Sequence, residues 1–232
     1  MIIGNGQLAK AFLNADSDTS VIFASGVANS NCVDAAVFNR ESELLYKTLH
    51  ENIDNRFIYF SSCALSADDY LLNDYYRHKK KMEEMIQELA GSYAIIRLPQ
   101  LFGDLKSHST LINFLYESLM LGREFFVYDG AMRYVIDIDD VKNVVDILRK
   151  VDQPNSIIDV ANPFRYSVIQ LIEILEGLTG KEAKYTLIRK ADAYLLDLSE
   201  FSRLIYENNI QGSFGVNYFS SKISQRIARL YS

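Results

Sequence analysis

The chain opens on Met1-Ile2-Ile3 and passes at once into Gly4-Asn5-Gly6-Gln7-Leu8-Ala9, and no other stretch restricts the fold as much. The apolar start reads as a strand. Leu8, Ala9, Ala11 and Phe12 read as the apolar face of a helix, so Gly-x-Gly-x-x-Ala is the turn between the two. In such a turn the first glycine permits the sharp bend and the second lets backbone approach a bound group. The small third residue lets helix and strand pack closely. Backbone N–H groups and the positive end of the helix then converge, which suits the phosphates of a dinucleotide. Gly4, Asn5, Gly6, Gln7 and Leu8 are the candidate cofactor-holding residues. The competing reading is a glycine-rich turn that binds nothing.

Further along, Val21–Ala24, Phe57–Phe60, Tyr93–Arg97 and Ile157–Val160 are continuous apolar runs, as expected for strands buried on both faces. Helical patterns over 34–50 and 74–90 alternate with them, and Asn14–Asp18 is a turn cluster. The second half predicts helices over 109–121 and 140–150, the latter capped by Asp139-Asp140. It also predicts strands over 125–128 and 133–138, a helix from Ser167 to Leu178, and a terminal helix over 220–231. The segment from 181 up to that helix is mixed.

Composition narrows the partners. The net charge of -6 disfavours nucleic acid and anionic membrane, which reward clustered Lys and Arg. Cys32 and Cys63 form no disulfide framework. No signal-peptide pattern or long apolar run is present, so a cytoplasmic location is expected. His50, His78 and His108 lack ligand spacing, so no metal is expected, and His78 reads as a surface residue. Arg77, Lys79, Lys80 and Lys81 read as a solvated face balanced by Glu83 and Glu84.

Tyr75 and Lys79 stand four residues apart on the helix over 74–90 and share one face. An ammonium beside a phenol favours the phenolate, so Tyr75 is a candidate acid/base, with Lys79 lowering its pKa. Tyr76 and Lys80 repeat the spacing one residue on.

Five ordered segments settle that register. Tyr75-x-x-x-Lys79-x-x-x-Glu83 resembles the Tyr-Lys-Glu helix of the extended short-chain dehydrogenase/reductase family, the NAD-dependent epimerases and dehydratases of nucleotide sugars. Phe57–Ser62 resembles its catalytic-serine strand, Arg97–Gly103 the segment after its sixth strand, Arg133–Val141 its R-D-F-I-H-V-D-D-V run, and Asp159–Pro163 with Ser167-Val168 its N-V-G-N-P…S-V element. The resemblance implies an α/β fold: a reduced Rossmann-type parallel sheet with helices on both faces and a small C-terminal substrate-binding region. The expected domains are 1–150, contributing substrate segments over 100–135, and 151–232. It implies NAD or NADP as cofactor and a nucleotide-sugar substrate, and a homodimer is compatible with it. Tyr75, Lys79 and Ser62 take the catalytic places, with Lys79 also on the nicotinamide ribose. Ala24, Ser25 and Gly26 line that ribose, and Cys63, Gln100 and Arg133 face the substrate. Ser62 and Cys63 both fit the place of the catalytic hydroxyl, and a hydroxyl is the better donor.

The chain also departs from the family. The glycine turn is one residue shorter, and Gln100 replaces an asparagine. Val21–Gly26 resembles the family's fourth strand, so the second and third strands, with the residue that reads the adenosine ribose, have no counterpart. The expected function is an NAD(P)-dependent reductase or epimerase of a nucleotide-linked sugar. The alternatives are a non-catalytic binding or regulatory protein on the same scaffold and a scaffold subunit partnered with a full-length homologue.

Overall fold

The structure, a computed structural model, describes residues 1–13, 20–67, 73–106, 110–150, 152, 154–210, 212 and 214–231. The turn cluster of 14–18 and His108 lie outside them. The chain runs β1 (Ile2–Ile3), α1 (Gln7–Ala11), β2 (Ser20–Phe23), α2 (Ala35–Glu51), β3 (Arg56–Ser62), a 3-10 turn (Cys63–Ser66) and α3 (Asp74–Leu89). Then come β4 (Ser92–Leu98), β5 (Gln100–Phe102), α4 (Leu111–Leu121), β6 (Glu124–Arg133), β7 (Val135–Asp137), α5 (Ile138–Leu148) and β8 (Ser156–Asp159). β9 (Tyr166–Ser167), α6 (Val168–Thr179), β10 (Lys184–Asp192), α7 (Ser199–Glu207) and α8 (Tyr218–Ala228) complete it. Two compact units result: residues 1–98 with 138–160, and residues 99–137 with 161–232. Among the described residues no helix is long and apolar enough to cross a membrane.

The first unit holds a five-stranded parallel sheet in the order β1-β2-β3-β4-β8. Ile3, Phe23, Tyr59, Ile95 and Ile157 form one registered row across it. This face is covered by Leu45 and Leu49 of α2 and by Met82 and Ile86 of α3. The alternate residues, among them Ile22, Ile58, Phe60 and Ile96, are buried on the opposite face. There Phe12, just past α1, stacks on Phe60 with ring centroids 6.1 Å apart, and α1 packs beside α5. The sheet is therefore covered on both sides, as its continuous apolar strands require.

α1 lies on one face and α2 and α3 on the other, yet all three links step across the sheet in the same direction. The β1–α1–β2 link thus has the opposite hand from the β2–α2–β3 and β3–α3–β4 links. About 98% of parallel crossovers share one hand. A doubly wound sheet extends both ways from its first strand, and α1 then belongs to strands on the far side. Among the described residues β1 is the edge, and α1 keeps the face suited to strands on its far side. The expected boundary at 150 falls inside this unit, because β8 pairs with β4 as the fifth strand.

In the second unit, β10, β6 and β9 form a three-stranded sheet, and β5 pairs with β7. Phe102, Phe201, Tyr166, Tyr218 and Phe219 make its aromatic core. The Tyr166 hydroxyl donates to the Val216 carbonyl and accepts from the Phe219 N–H. Two sequence expectations change across the two units. The run 133–138 is two strands, β6 ending at Arg133 and β7 beginning at Val135. Asp139 and Asp140 lie inside the first turn of α5 instead of capping it. The segment from 181, mixed in the sequence, forms β10 and α7: Phe201, Leu204 and Ile205 give α7 an apolar face, whereas β10 is almost wholly exposed and is held by its pairing with β6.

Arg56 fastens the start of β3. Its guanidinium, in a residue 1% exposed, donates to the Leu148 carbonyl at 2.6 Å, the Pro154 carbonyl at 3.0 Å and Ser92 Oγ at 2.9 Å. Arg56→Leu leaves those acceptors unsatisfied and is expected to lower unfolding free energy by about 2–3 kcal/mol. Urea titration checks this, and a change under about 0.5 kcal/mol contradicts the role given to Arg56.

Candidate functional site

Gly4 closes the first turn against the end of β2. Its φ is +128°, and a Cβ there would lie 2.4 Å from the Ala24 carbonyl oxygen, so only glycine fits. The two expected cofactor segments, 4–8 and 24–26, therefore meet at the carboxyl ends of β1 and β2. Gly4, Asn5 and Gly6 are exposed, Gln7, Leu8, Ala24, Ser25 and Gly26 half-buried, and a Cβ on Gly6 would meet nothing within 4 Å. α1 spans only Gln7–Ala11, so the turn's own N–H groups carry more of any phosphate contact than a helix dipole does.

The centre of the unit is a carboxylate that no sequence motif marks. Glu41 of α2 is fully buried. Its Oε1 accepts from the Tyr59 hydroxyl at 2.7 Å and Lys79 Nζ at 3.1 Å. Its Oε2 accepts from the Val27 N–H at 2.7 Å and His78 Nε2 at 3.0 Å. A carboxylate offers about four acceptor sites, and all are used. Lys79 Nζ also donates to the Tyr59 hydroxyl at 3.0 Å. Burial alone would push the Glu41 carboxyl up. The Lys79 ammonium and the hydrogen bonds from His78, Val27 and Tyr59 override it and hold the group at about 2. Burial lowers Lys79 from its ordinary value, opposed by Glu41 and Glu83.

Three expectations are corrected at this cluster. His78 is buried, bonded to Glu41 and stacked on Phe38 at 4.6 Å between ring centroids, because α3 turns the Tyr75, His78, Lys79, Met82 and Ile86 stripe inward. Lys79 and Glu83 belong to no solvated charge face: Glu83 takes a two-point ion pair from Arg97, with Nε to Oε1 at 2.9 Å and Nη2 to Oε2 at 2.6 Å. Nor is the Tyr75 phenol lowered in this structure. Burial, reinforced by Glu41, raises it above its ordinary value.

Tyr75 is 8% exposed, with Lys79 Nζ 5.9 Å from its ring centroid. Its hydroxyl has no hydrogen-bond partner among the described residues. Ser62 is half-buried and its Oγ caps the 3-10 turn, accepting from the Ala64 N–H at 3.4 Å. Cys63 is fully buried, and its thiol donates to the Arg97 carbonyl at 3.1 Å, which keeps the sulfur in the packing between β3 and β4. Ser61, which the sequence reading left aside, is buried with its Oγ unpartnered among the described residues. It alternates onto the same sheet face as Tyr59. In the second unit, Gln100 is half-buried on β5, and Arg133 forms an ion pair with Asp192 and donates to the Asp192 carbonyl at 2.8 Å. Among the described residues no His, Cys, Asp and Glu cluster suited to a metal is present.

The sequence matches no family model, and no curated protein matches it. Solved structures do match. The Bordetella bronchiseptica enzyme WbmG, in complex with NAD and UDP, superposes with a TM-score of 0.68 at 16% identity, over 90% of this chain and 72% of that one. A UDP-N-acetylglucosamine 4-epimerase from Methanobrevibacter ruminantium gives 0.70 at 19% identity, over 98% and 80%. A UDP-glucuronic acid 4-epimerase from Bacillus cereus, with UDP-glucuronic acid and NAD, gives 0.69 at 17% identity, over 98% and 80%. At these identities the likeness establishes a shared fold: this chain has a shortened form of the Rossmann-type α/β fold of those enzymes.

The Glu41 cluster predicts a pH signature. Its folded value of about 2 lies below the ordinary 4.5. Ionised Glu41 therefore contributes stability that is present above about pH 4.5 and lost as pH falls towards 2. Urea midpoints of the wild type and Glu41→Gln should diverge as pH rises through that window. A gap independent of pH contradicts the assignment.

Proposed function

We propose that this chain is an NAD(P)-dependent reductase or epimerase of a nucleotide-linked sugar, with Tyr75 as acid/base. The contrast between Tyr75 and its neighbours carries the reading. Tyr59, His78 and Lys79 are committed to Glu41, whereas the Tyr75 oxygen has no partner among the described residues and sits on the same helix face. A packed phenol with an uncommitted oxygen is placed to exchange a proton with a substrate hydroxyl or carbonyl.

The residues present fit the nicotinamide and pyrophosphate half of the cofactor. Gly4 packs against Ala24, and Gly26 against Lys79 and Glu41, which draws the two turns together at the carboxyl ends of β1 and β2, where open α/β sheets bind ligands. Gly4 to Leu8 would hold the phosphates and Ala24 to Gly26 the nicotinamide ribose. When bound, the cofactor supplies hydride acceptance and donation. Lys79 has used two of its three N–H groups, on Glu41 and Tyr59, and the third is assigned to the ribose. The Ser62 hydroxyl polarises the reacting oxygen, with Ser61 the other candidate. Gln100 and Arg133, both in the second unit, are assigned to the sugar nucleotide, and the planar guanidinium of Arg133 suits a diphosphate. The solved neighbours crystallised with NAD and UDP groups support this reading.

One observation favours a second reading, a non-catalytic binding protein on this scaffold. Burial and Glu41 raise the Tyr75 phenol, and the Lys79 ammonium is engaged elsewhere. Turnover separates the two.

Under the enzyme reading, a panel of UDP-sugars with NAD+ or NADH gives product by chromatography. Tyr75→Phe should cut turnover by about 10²–10⁴-fold while Tyr76→Phe does not. A loss below tenfold removes Tyr75 from the reaction, and cofactor binding without turnover of any sugar supports the binding protein. Of Ser62→Ala and Ser61→Ala, the first should cost more in kcat. The reverse order transfers the role to Ser61.

A further inference from the structure

Glu41 joins three parts of the first unit that the proposed function needs together. Its Oε2 takes the Val27 N–H, fixing the turn after β2 that carries Ala24, Ser25 and Gly26. Its Oε1 takes Lys79 from α3 and Tyr59 from the middle of the sheet. The backbone of Gly26 lies directly over the pair, since a Cβ there would stand 2.5 Å from Lys79 Nζ and 3.0 Å from Glu41 Oε1. Lysine is a flexible side chain that ordinarily keeps its head in water. Lys79 is 2% exposed, and its direction is set by two hydrogen bonds.

We propose that Glu41 is a positioning residue for Lys79: its carboxylate keeps the lysine charged in the interior and fixes it between Tyr59 and the Ala24–Val27 turn. This rests on the reading above for what Lys79 meets, but the pair itself stands without it. The groups that face Lys79 are Glu41 on α2, Tyr59 on β3 and, on its own helix, Tyr75 and Glu83. His78 meets the same carboxylate, and Arg97 on β4 holds Glu83. Of the two carboxylates, Glu41 touches the ammonium directly, whereas Glu83 is engaged by Arg97 at two points. An ammonium buried without a counter-charge sheds its proton, so Glu41 decides whether Lys79 is a cation.

The test is a pH titration of the lysine side-chain nitrogens by NMR, with Lys79→Arg identifying the Lys79 signal. Glu41→Gln keeps the shape and removes the charge, and Lys79 should then lose its proton at least one pH unit lower than in the wild type. An unchanged midpoint overturns the proposal. Should Glu41→Gln not fold, Glu41→Asp draws the charge back by one methylene, where a lowered midpoint supports the proposal and an unchanged one overturns it. NADH affinity across pH adds a second readout. In the carboxylate variant it should weaken at least tenfold through the Lys79 midpoint, while the wild type holds. If neither protein binds NADH at any pH, the enzyme reading fails and the NMR titration still judges the pair.

Discussion

A single carboxylate with every acceptor site filled organises the first unit. Glu41 binds α2 to β3 through Tyr59, to α3 through His78 and Lys79, and to the turn after β2 through Val27. Each of these donors would be costly to bury alone, and so would the carboxylate. Together they are mutually satisfied, and the dependence is strict: removing one member leaves the others with unmet polar demand in a dry interior. The elements so joined carry Tyr75 on α3 and Gly26 on the turn after β2, and Gly4 closes against the start of that turn.

The halved sheet follows a different logic. Its strands step one way from β1, yet α1 covers the face suited to strands on the other side. The Phe12–Phe60 stack and the packing of α1 on α5 keep that face closed. The side retained is where Gly4, Ala24 and Gly26 crowd together. The far side, where a doubly wound fold reads the adenosine, has no strand among the described residues.

Much of the first unit was legible in the sequence because its strands are buried on both faces and read as continuous apolar runs. The register of Tyr75 over Tyr76 came from Glu83, whose partner is Arg97, also marked by the resemblance. At the Glu41 cluster the misses share one cause: burial of polar groups leaves no hydrophobic signature. His78 and Lys79 looked like members of a surface cluster. Glu41, however, lies four residues before Leu45 and three after Phe38, on the apolar stripe of α2, and a carboxylate there demands partners. That signal was present and went unread. β10 had none, since its side chains are exposed and only its backbone pairing with β6 defines it.

Under the proposed function this unit holds the nicotinamide side of a dinucleotide. In calorimetric titrations nicotinamide mononucleotide should then bind within about tenfold of intact NADH and compete with it, through Gly4–Leu8 and Ala24–Gly26, while AMP neither binds nor competes. Competition by AMP equal to that of the mononucleotide, or no binding of NADH at millimolar concentration, would contradict it.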